Sequence, residues 1–373
     1  MNIGFDAKRI IQNHTGLGNY GRYIIEILSR YYPDNHYFLF APKQKKNDRL
    51  SFLHSQENVS FVFPSGFDKI IPAVWRTTGL RKDFPNKEIT IFHGLSNELP
   101  VGIRHSKVKS VVSIHDLIFL RYPEFYNTID RWIYKWKYRR ACRIADKIIA
   151  ISECTKRDIM NFFSVPEEKI AVIYQGCHPQ FQQLLTDKKK LEIREKYNLP
   201  NRFLLTVGSI EPRKNLLLAV KALCRLPEEI HLVAIGKSTP YQAEIEKYAR
   251  QSGLESRLHI KNDFLFCDLP AVYQSSSVFI YPSFFEGFGI PVIEALTSGV
   301  PVIAASGSCL EETGGPDSIY INPDDDKELA AQILEVVNNE SLANRMIEAG
   351  KEYVKRFDDK KIASEINSIY QML

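Results

Sequence analysis

Glu286 and Glu294 stand eight positions apart in SVFIYPSFFEGFGIPVIEALTSG, residues 277–299. Ser277 to Tyr281 reads as a buried strand, Pro282 to Gly289 as a loop, and Ile290 to Ser298 as a helix with apolar residues at helical spacing. Pro291 suits a helix start and Gly299 a C-terminal cap. Glu286 then hangs from the loop at the strand's carboxyl end, and Glu294 lies about one turn into the helix. Gly287, Phe288 and Gly289 between them let backbone approach a ligand, beside amides that attract anions. A carboxylate early in such a helix can accept two hydroxyl protons from a ribose. Paired carboxylates also serve glycosidases, where they stand roughly 5 to 9.5 Å apart. A hydrolase of neutral glycans has no use for the cations described next.

Gly208 to Asn215, GSIEPRKN, follows another strand, and Arg213 and Lys214 offer a planar fork and a point charge suited to a diphosphate. Gly16, Gly18 and Gly21 match a dinucleotide fingerprint, yet about nine residues separate them from the first strand, and no acid ends the second. A glycine loop beside an anionic ligand fits better than a nicotinamide or flavin site. Asp324, Asp325 and Asp326 read as a helix N-cap with an acidic first turn, so no metal is implied. The charge on a phosphate leaving group then falls to Arg213, Lys214 and helix amides. His93 and His115 end two strands and point to the ligand crevice of a doubly wound sheet. The expected task of His115 is a hydrogen bond to a sugar.

These side chains need strands and crossover helices to hold them. Strand candidates in the first half are Ile3 to Asp6, Tyr37 to Ala41, Val59 to Phe63, Ile89 to His93, Val108 to Ile114, Lys147 to Ile151 and Ile170 to Tyr174. Helices such as Gly18 to Tyr31 and Arg131 to Ala145 fall between them. After a polar stretch, Phe203 to Val207, Ile230 to Ile235, Leu258 to Ile260, Val278 to Tyr281, Val302 to Ala304 and Ile319 to Ile321 continue the pattern. The alternation predicts an α/β protein of two doubly wound domains facing across a cleft. Residues 1–180 make the first, 181–202 a linker, and 203–357 the second.

The chain has 373 residues, 44% of them apolar and 25% charged, with a formal charge of +5. Those are globular values, and the charge is too small for a polybasic nucleic-acid binder. No window reaches the roughly 18 to 20 apolar residues of a membrane span, and MNIGFDAKR is charged where a signal peptide is apolar, so the expected location is the cytoplasm. Six scattered cysteines read as buried free thiols. The helix at 131–145 carries six basic residues and four aromatics. It reads as a solvated basic face or as a peripheral contact with the inner face of a membrane.

GLGNY, SIHDL, GSIEPRKN and FEGFGIPVIEA, in that order, resemble the GT-B glycosyltransferases of family GT4, a retaining group, over nearly the whole chain. The opening IGFDAKR and TGLGNYGRY look most like bacterial mannosyltransferases of surface polysaccharide synthesis. By that resemblance Gly16 and Gly18 approach the donor diphosphate, Arg213 and Lys214 neutralise it, and Glu294 holds the ribose. It further implies that Glu286 and the amides of Gly287, Phe288 and Gly289 contact donor sugar and phosphates, with His115 opposite. The base falls near Asn262, Asp263 and Phe264, and residues 358–373 pack back on the first domain. The implied function is transfer of a hexose, mannose from GDP-mannose, to a growing surface glycan or lipid-linked oligosaccharide. The nucleotide sugar is a substrate and no cofactor is needed. Alternatives are another donor such as UDP-glucose, an epimerase of the same fold, or a non-catalytic glycan-binding protein.

Overall fold

The computed structural model describes residues 1–13, 16–45 and 48–373, and these divide into two compact units, 1–175 with 358–373 and 176–357. In the first, β1 (Asn2–Asp6), β2 (His36–Phe40), β3 (Val59–Val62), β4 (Ile91–Gly94), β5 (Lys109–Ile114), β6 (Lys147–Ala150) and β7 (Ile170–Val172) form a parallel sheet. Its order is β3-β2-β1-β4-β5-β6-β7. In the second, β8 (Phe203–Val207), β9 (His231–Ile235), β10 (Leu258–Lys261), β11 (Val278–Tyr281), β12 (Val302–Ala305) and β13 (Ile319–Ile321) pair in the order β10-β9-β8-β11-β12-β13, again all parallel. Each strand proposed from sequence is present, within two residues of its expected ends.

Both sheets reverse their winding at one place, between β1 and β4 and between β8 and β11. At such a point the crossover helices leave to opposite faces and open a crevice outside the strands' carboxyl ends. Strand residues such as Phe5, Phe92, Val233 and Ile280 have no exposed surface. Their continuous apolar runs, rather than alternation, mark sheets covered on both faces.

Helix Asp359–Met372 belongs to the first unit. It buries Ile362, Ile366, Ile369 and Tyr370 at helical spacing, each apolar side chain contributing about 1.5–3 kcal/mol. Against helix Gly16–Tyr31 the Tyr23 hydroxyl donates to Asp359 Oδ1 at 2.7 Å, and in the same unit Asn35 Nδ2 donates to Asn367 Oδ1 at 3.2 Å. Residues 181–202, expected as a linker, lie inside the second unit instead. Helix Asp187–Lys196 is followed by Tyr197, whose hydroxyl donates to Asp268 Oδ2 at 2.8 Å, while Lys196 Nζ reaches the same oxygen at 2.6 Å.

Candidate active site

The switch point of the second sheet gathers the charged residues. A short turn, Pro212–Lys214, follows β8, and the loop 282–289 follows β11, the strand beside it. The two are stitched together by backbone, Phe284 N donating to Arg213 O at 3.0 Å. Asn215, left-handed at φ 55°, donates from Nδ2 to the carbonyls of Pro282 at 3.1 Å and Pro323 at 2.7 Å, fixing the loops after β8, β11 and β13 to one another.

On that frame Arg213 Nη1 lies 2.9 Å from Glu286 Oε2 and donates to Phe285 O at 2.7 Å, while its Nη2 donates to Glu211 Oε1 at 2.7 Å. Lys214 Nζ donates to Glu286 Oε1 at 2.6 Å and to the Tyr281 hydroxyl at 2.5 Å. The Arg213, Lys214 and Glu286 side chains are only 16%, 17% and 9% exposed. Burial alone would raise the Glu286 carboxyl, but Arg213 and Lys214 outweigh it by charge and hydrogen bonds and hold it at about 2. Burial presses the Lys214 ammonium down, against the pull of Glu286. It also opposes the Arg213 charge, which Glu286 and Glu211 more than restore. The sequence placed Glu286 toward a sugar; the structure makes it the shared counter-ion of both cations, so its carboxylate oxygens are engaged inside the protein.

Gly287, Phe288 and Gly289 are buried, and Phe288 stands edge-on to Phe357, ring centroids 5.8 Å apart. Gly289 opens the helix Ile290–Thr297 at φ +106°, and a Cβ there would meet Leu310 Cδ2 at 2.8 Å. Only glycine satisfies both the backbone and the packing. The Cys309 thiol lies 3.1 Å from Glu286 O and 2.9 Å from Phe288 O, bracing the loop from β12's side. In the helix, Glu294 is buried and accepts from the Tyr273 hydroxyl at 2.9 Å. Burial lifts its carboxyl to about 7, with the Tyr273 hydrogen bond pulling the other way. Two acids on one motif are thus shifted in opposite directions, because Glu286 is paired with cations and Glu294 with a phenol.

Asn262 and Asp263 are exposed after β10, and Asn262 donates to Gly236 O at 2.8 Å and Gln242 Oε1 at 3.1 Å, which commits its amide hydrogens. Phe264 stacks on Tyr197 at 3.8 Å between centroids, so one ring face is covered. Asp325 caps helix Asp326–Asn338 through Lys327 N and Glu328 N, as the reading of that acidic run expected. Among the described residues no group of three or more His, Cys, Asp or Glu is placed to hold a metal.

The first unit has a different character. His115 follows β5, buried, its Nε2 donating to Leu95 O at 2.8 Å and its ring edge-on to Tyr20 at 4.5 Å. A carbonyl only accepts, so Nε2 carries the proton and Nδ1 is left as an acceptor. Burial lowers its pKa to about 4 despite that bond, keeping the ring neutral. His93 differs from the expectation that it points to a crevice: its Nδ1 pairs with the Tyr370 hydroxyl at 2.6 Å and its Nε2 with Ser113 Oγ at 2.9 Å. Both nitrogens being used, it ties the C-terminal helix to the sheet. Gly16 and Gly18 fall in the first turn of helix Gly16–Tyr31 rather than in a loop. A Cβ on Gly18 would sit 2.1 Å from Asn13 O, whereas among the described residues nothing lies within 4 Å of one on Gly16. His14 and Thr15, just before them, lie outside the described residues. Four cysteines are buried, as expected of free thiols, while Cys224 and Cys267 are exposed.

Sequence reasoning missed Glu211, Tyr273, Tyr281, Asn215 and Cys309. Asn215 and Glu211 were within the quoted motif, and their polar types beside two cations were the available signal.

Two parallel doubly wound domains are the architecture of the GT-B fold. The chain belongs to the family-4 and group-1 glycosyltransferases: residues 21–181 match the model of Glycosyltransferase Family 4, and residues 187–353 that of Glycosyl transferases group 1. It is 26% identical over 293 residues to O-antigen chain mannosyltransferase B of Escherichia coli, covering 76% of this chain and 74% of that one. It is 30% identical over 264 residues to the serotype-specific mannosyltransferase WbdA of E. coli, covering 68% of this chain but 32% of WbdA, so it spans about a third of that relative's length. Solved structures with the same fold include sucrose-phosphate synthase from Thermosynechococcus elongatus (TM-score 0.82, 20% identity, 100% and 98% of the two chains). HepE of Anabaena, solved with UDP and glucose, superposes at a TM-score of 0.79, with 17% identity and both chains covered in full.

Proposed function

We propose that the chain transfers mannose from GDP-mannose to a hydroxyl of a growing surface glycan or lipid-linked oligosaccharide, with the anomeric configuration kept. The observation that carries this reading is the buried Arg213, Lys214 and Glu286 group at the switch point of the second sheet. Its two fixed cations suit a diphosphate, and its fixed geometry suits one that gains charge as it leaves. The names of the similar mannosyltransferases support the choice of sugar. Glu294 takes ribose hydroxyls in its ionised form, and Asn262, Asp263 and Phe264 lie toward the base. Gly16 and Gly18 bring helix amides toward the phosphates, and His115 Nδ1 accepts from a donor-sugar hydroxyl. As the glycosidic bond to phosphate breaks, positive charge grows on the sugar, and the incoming hydroxyl attacks from the leaving-group face and yields its proton to the diphosphate. No metal or cofactor takes part in this scheme. The work is placed in the cytoplasm at the inner face of the membrane, which the cation-and-tryptophan face of helix Thr128–Ile144 supports.

Incubation with GDP-mannose, UDP-glucose and related donors, with and without lipid-linked oligosaccharide, tests the reading. Acceptor-dependent release of GDP with a product one mannose longer is the expected result. An altered sugar without acceptor makes the chain an epimerase; no turnover with any donor makes it a glycan-binding protein. Release from UDP-glucose alone changes the donor and leaves the reaction class.

A further inference from the structure

After β3 the chain carries Phe67, Ile70, Ile71 and Val74, which are 91%, 73%, 57% and 52% exposed. They sit on two short turns, Gly66–Lys69 and Pro72–Val74, and on Ile70 and Ile71 between them, and all four face water while Trp75 turns inward. An apolar patch that faces water instead of the core marks an interaction surface. Helix Thr128–Ile144 carries a second one: Ile129, Trp132, Lys135, Trp136, Arg139 and Arg143 are its exposed face, with no carboxylate among them.

The loop around Glu98 joins the two. Glu98 accepts from Arg76 at 3.2 Å and from Lys137 at 3.1 Å, one partner from each side. Val101 N donates to Thr77 O at 2.7 Å, and Arg140, one turn beyond Trp136, donates to the carbonyls of Leu99 at 3.0 Å and Pro100 at 3.1 Å. Val101 is itself exposed, which continues the apolar surface across the loop.

We propose that this face of the first unit docks on an anionic phospholipid bilayer, with Phe67, Ile70, Ile71 and Val74 entering the boundary between headgroups and acyl chains. It deepens the peripheral-contact reading of helix Thr128–Ile144 and rests on it. Tryptophans flanked by lysine and arginine are the chemistry of a lipid interface, and the cations meet lipid phosphates as the apolar chains enter. A second copy is the poorer occupant, because a two-fold contact through this face would bring Lys135, Arg139 and Arg143 against their own equivalents.

Sedimentation of the full chain with sucrose-loaded vesicles tests this. The wild type should pellet with vesicles containing phosphatidylglycerol and stay in solution with phosphatidylcholine alone. Phe67→Ser with Ile70→Ser should lower that partition about tenfold or more at unchanged Tm, since both side chains are solvent-exposed. As a second readout, Phe67→Trp fluorescence should shift to the blue on adding the anionic vesicles. No pelleting with anionic vesicles, or equal partition of the serine variant, overturns the proposal. So does a dimer in sedimentation velocity that the serine variant converts to monomer, which assigns the face to a second copy. Transfer to a soluble glycan acceptor, measured on the same variants, should be unchanged. A wild type that binds vesicles yet transfers no sugar refutes the proposed reaction and leaves the docking surface standing.

Discussion

The carboxyl ends of the two sheets are built from opposite materials. At the second sheet, Arg213, Lys214 and Glu211 form an ionic cluster around buried Glu286; at the first, Tyr20, Ser113, His93, His115 and Tyr370 form a buried set of neutral groups. Both are locked in one protonation state at neutral pH, Glu286 ionised near 2 and the histidines uncharged near 3 and 4. A buried ion pair keeps its cost low only while every partner is present. A neutral network loses one hydrogen bond at a time. The ionic end is therefore the brittle one, and it faces the task that asks for charge.

The sharpest way to break this contrast is to remove one cation. Arg213→Ala or Lys214→Ala should lower turnover by about 100- to 1000-fold, the effect of deleting one fixed donor from a developing anion. Lys214→Ala should also destabilise, because Glu286 keeps its charge with one partner fewer; thermal melts separate that loss from the kinetic one. His115→Ala should cost about tenfold in turnover, the value of one hydrogen bond to a neutral group. Steady-state rates that rank His115→Ala as the worse variant would invert the comparison.

Glu294 is the group that breaks the pattern of fixed protonation, and it gives the next effect in size. The folded carboxyl titrates at about 7 and an unfolded glutamate near about 4.3. Between those values the folded chain keeps a proton that the unfolded chain has lost, so stability falls as pH rises through the window, by a few kcal/mol at most. Glu286 has the opposite sign: its folded value of about 2 lies below the unfolded one, so its contribution is present above about pH 4.3 and is lost as pH falls toward 2. Glu294→Gln should flatten the Tm decline between about pH 5 and about pH 8, a span that brackets the folded value of about 7. It should weaken GDP about tenfold at the upper end, where the wild type offers a carboxylate to the ribose. Calorimetric affinities that do not rise from the lower to the upper pH in the wild type would remove Glu294 from ribose binding.

The strands were legible because doubly covered sheets write themselves as short continuous runs of Val, Ile, Leu and Phe, and each such run from Ile3 to Ile321 became a strand. Arg213, Lys214, Glu286 and Glu294 were legible because strand ends in such sheets are where ligands bind. The counter-ion role of Glu286 was not, since it depends on β8 and β11 being neighbours, which a sequence does not state. Tyr273 and Tyr281 looked like core, and they are core except for one hydroxyl each. Residues 181–202 looked like a linker because helix Asp187–Lys196 buries little beyond Ile193, too weak an apolar face to announce packing. His93 failed for the reverse reason: the helix that covers it comes 277 positions later in the chain.

The smallest expected effects separate the two glycines that open helix Gly16–Tyr31, and they ask whether the neutral end touches an anion at all. A methyl on Gly18 meets the Asn13 backbone carbonyl, which cannot rotate away, so Gly18→Ala should cost about 1–3 kcal/mol of stability whatever the ligand. A methyl on Gly16 meets nothing among the described residues, and alanine is the better helix former by up to about 1 kcal/mol. Gly16→Ala should thus leave Tm level or slightly raised. If helix amides approach the diphosphate there, the same variant should raise KM for the donor severalfold at nearly constant kcat. An unchanged KM would leave both glycines as packing devices, and the whole burden of the leaving charge on Arg213, Lys214 and the helix that Gly289 opens.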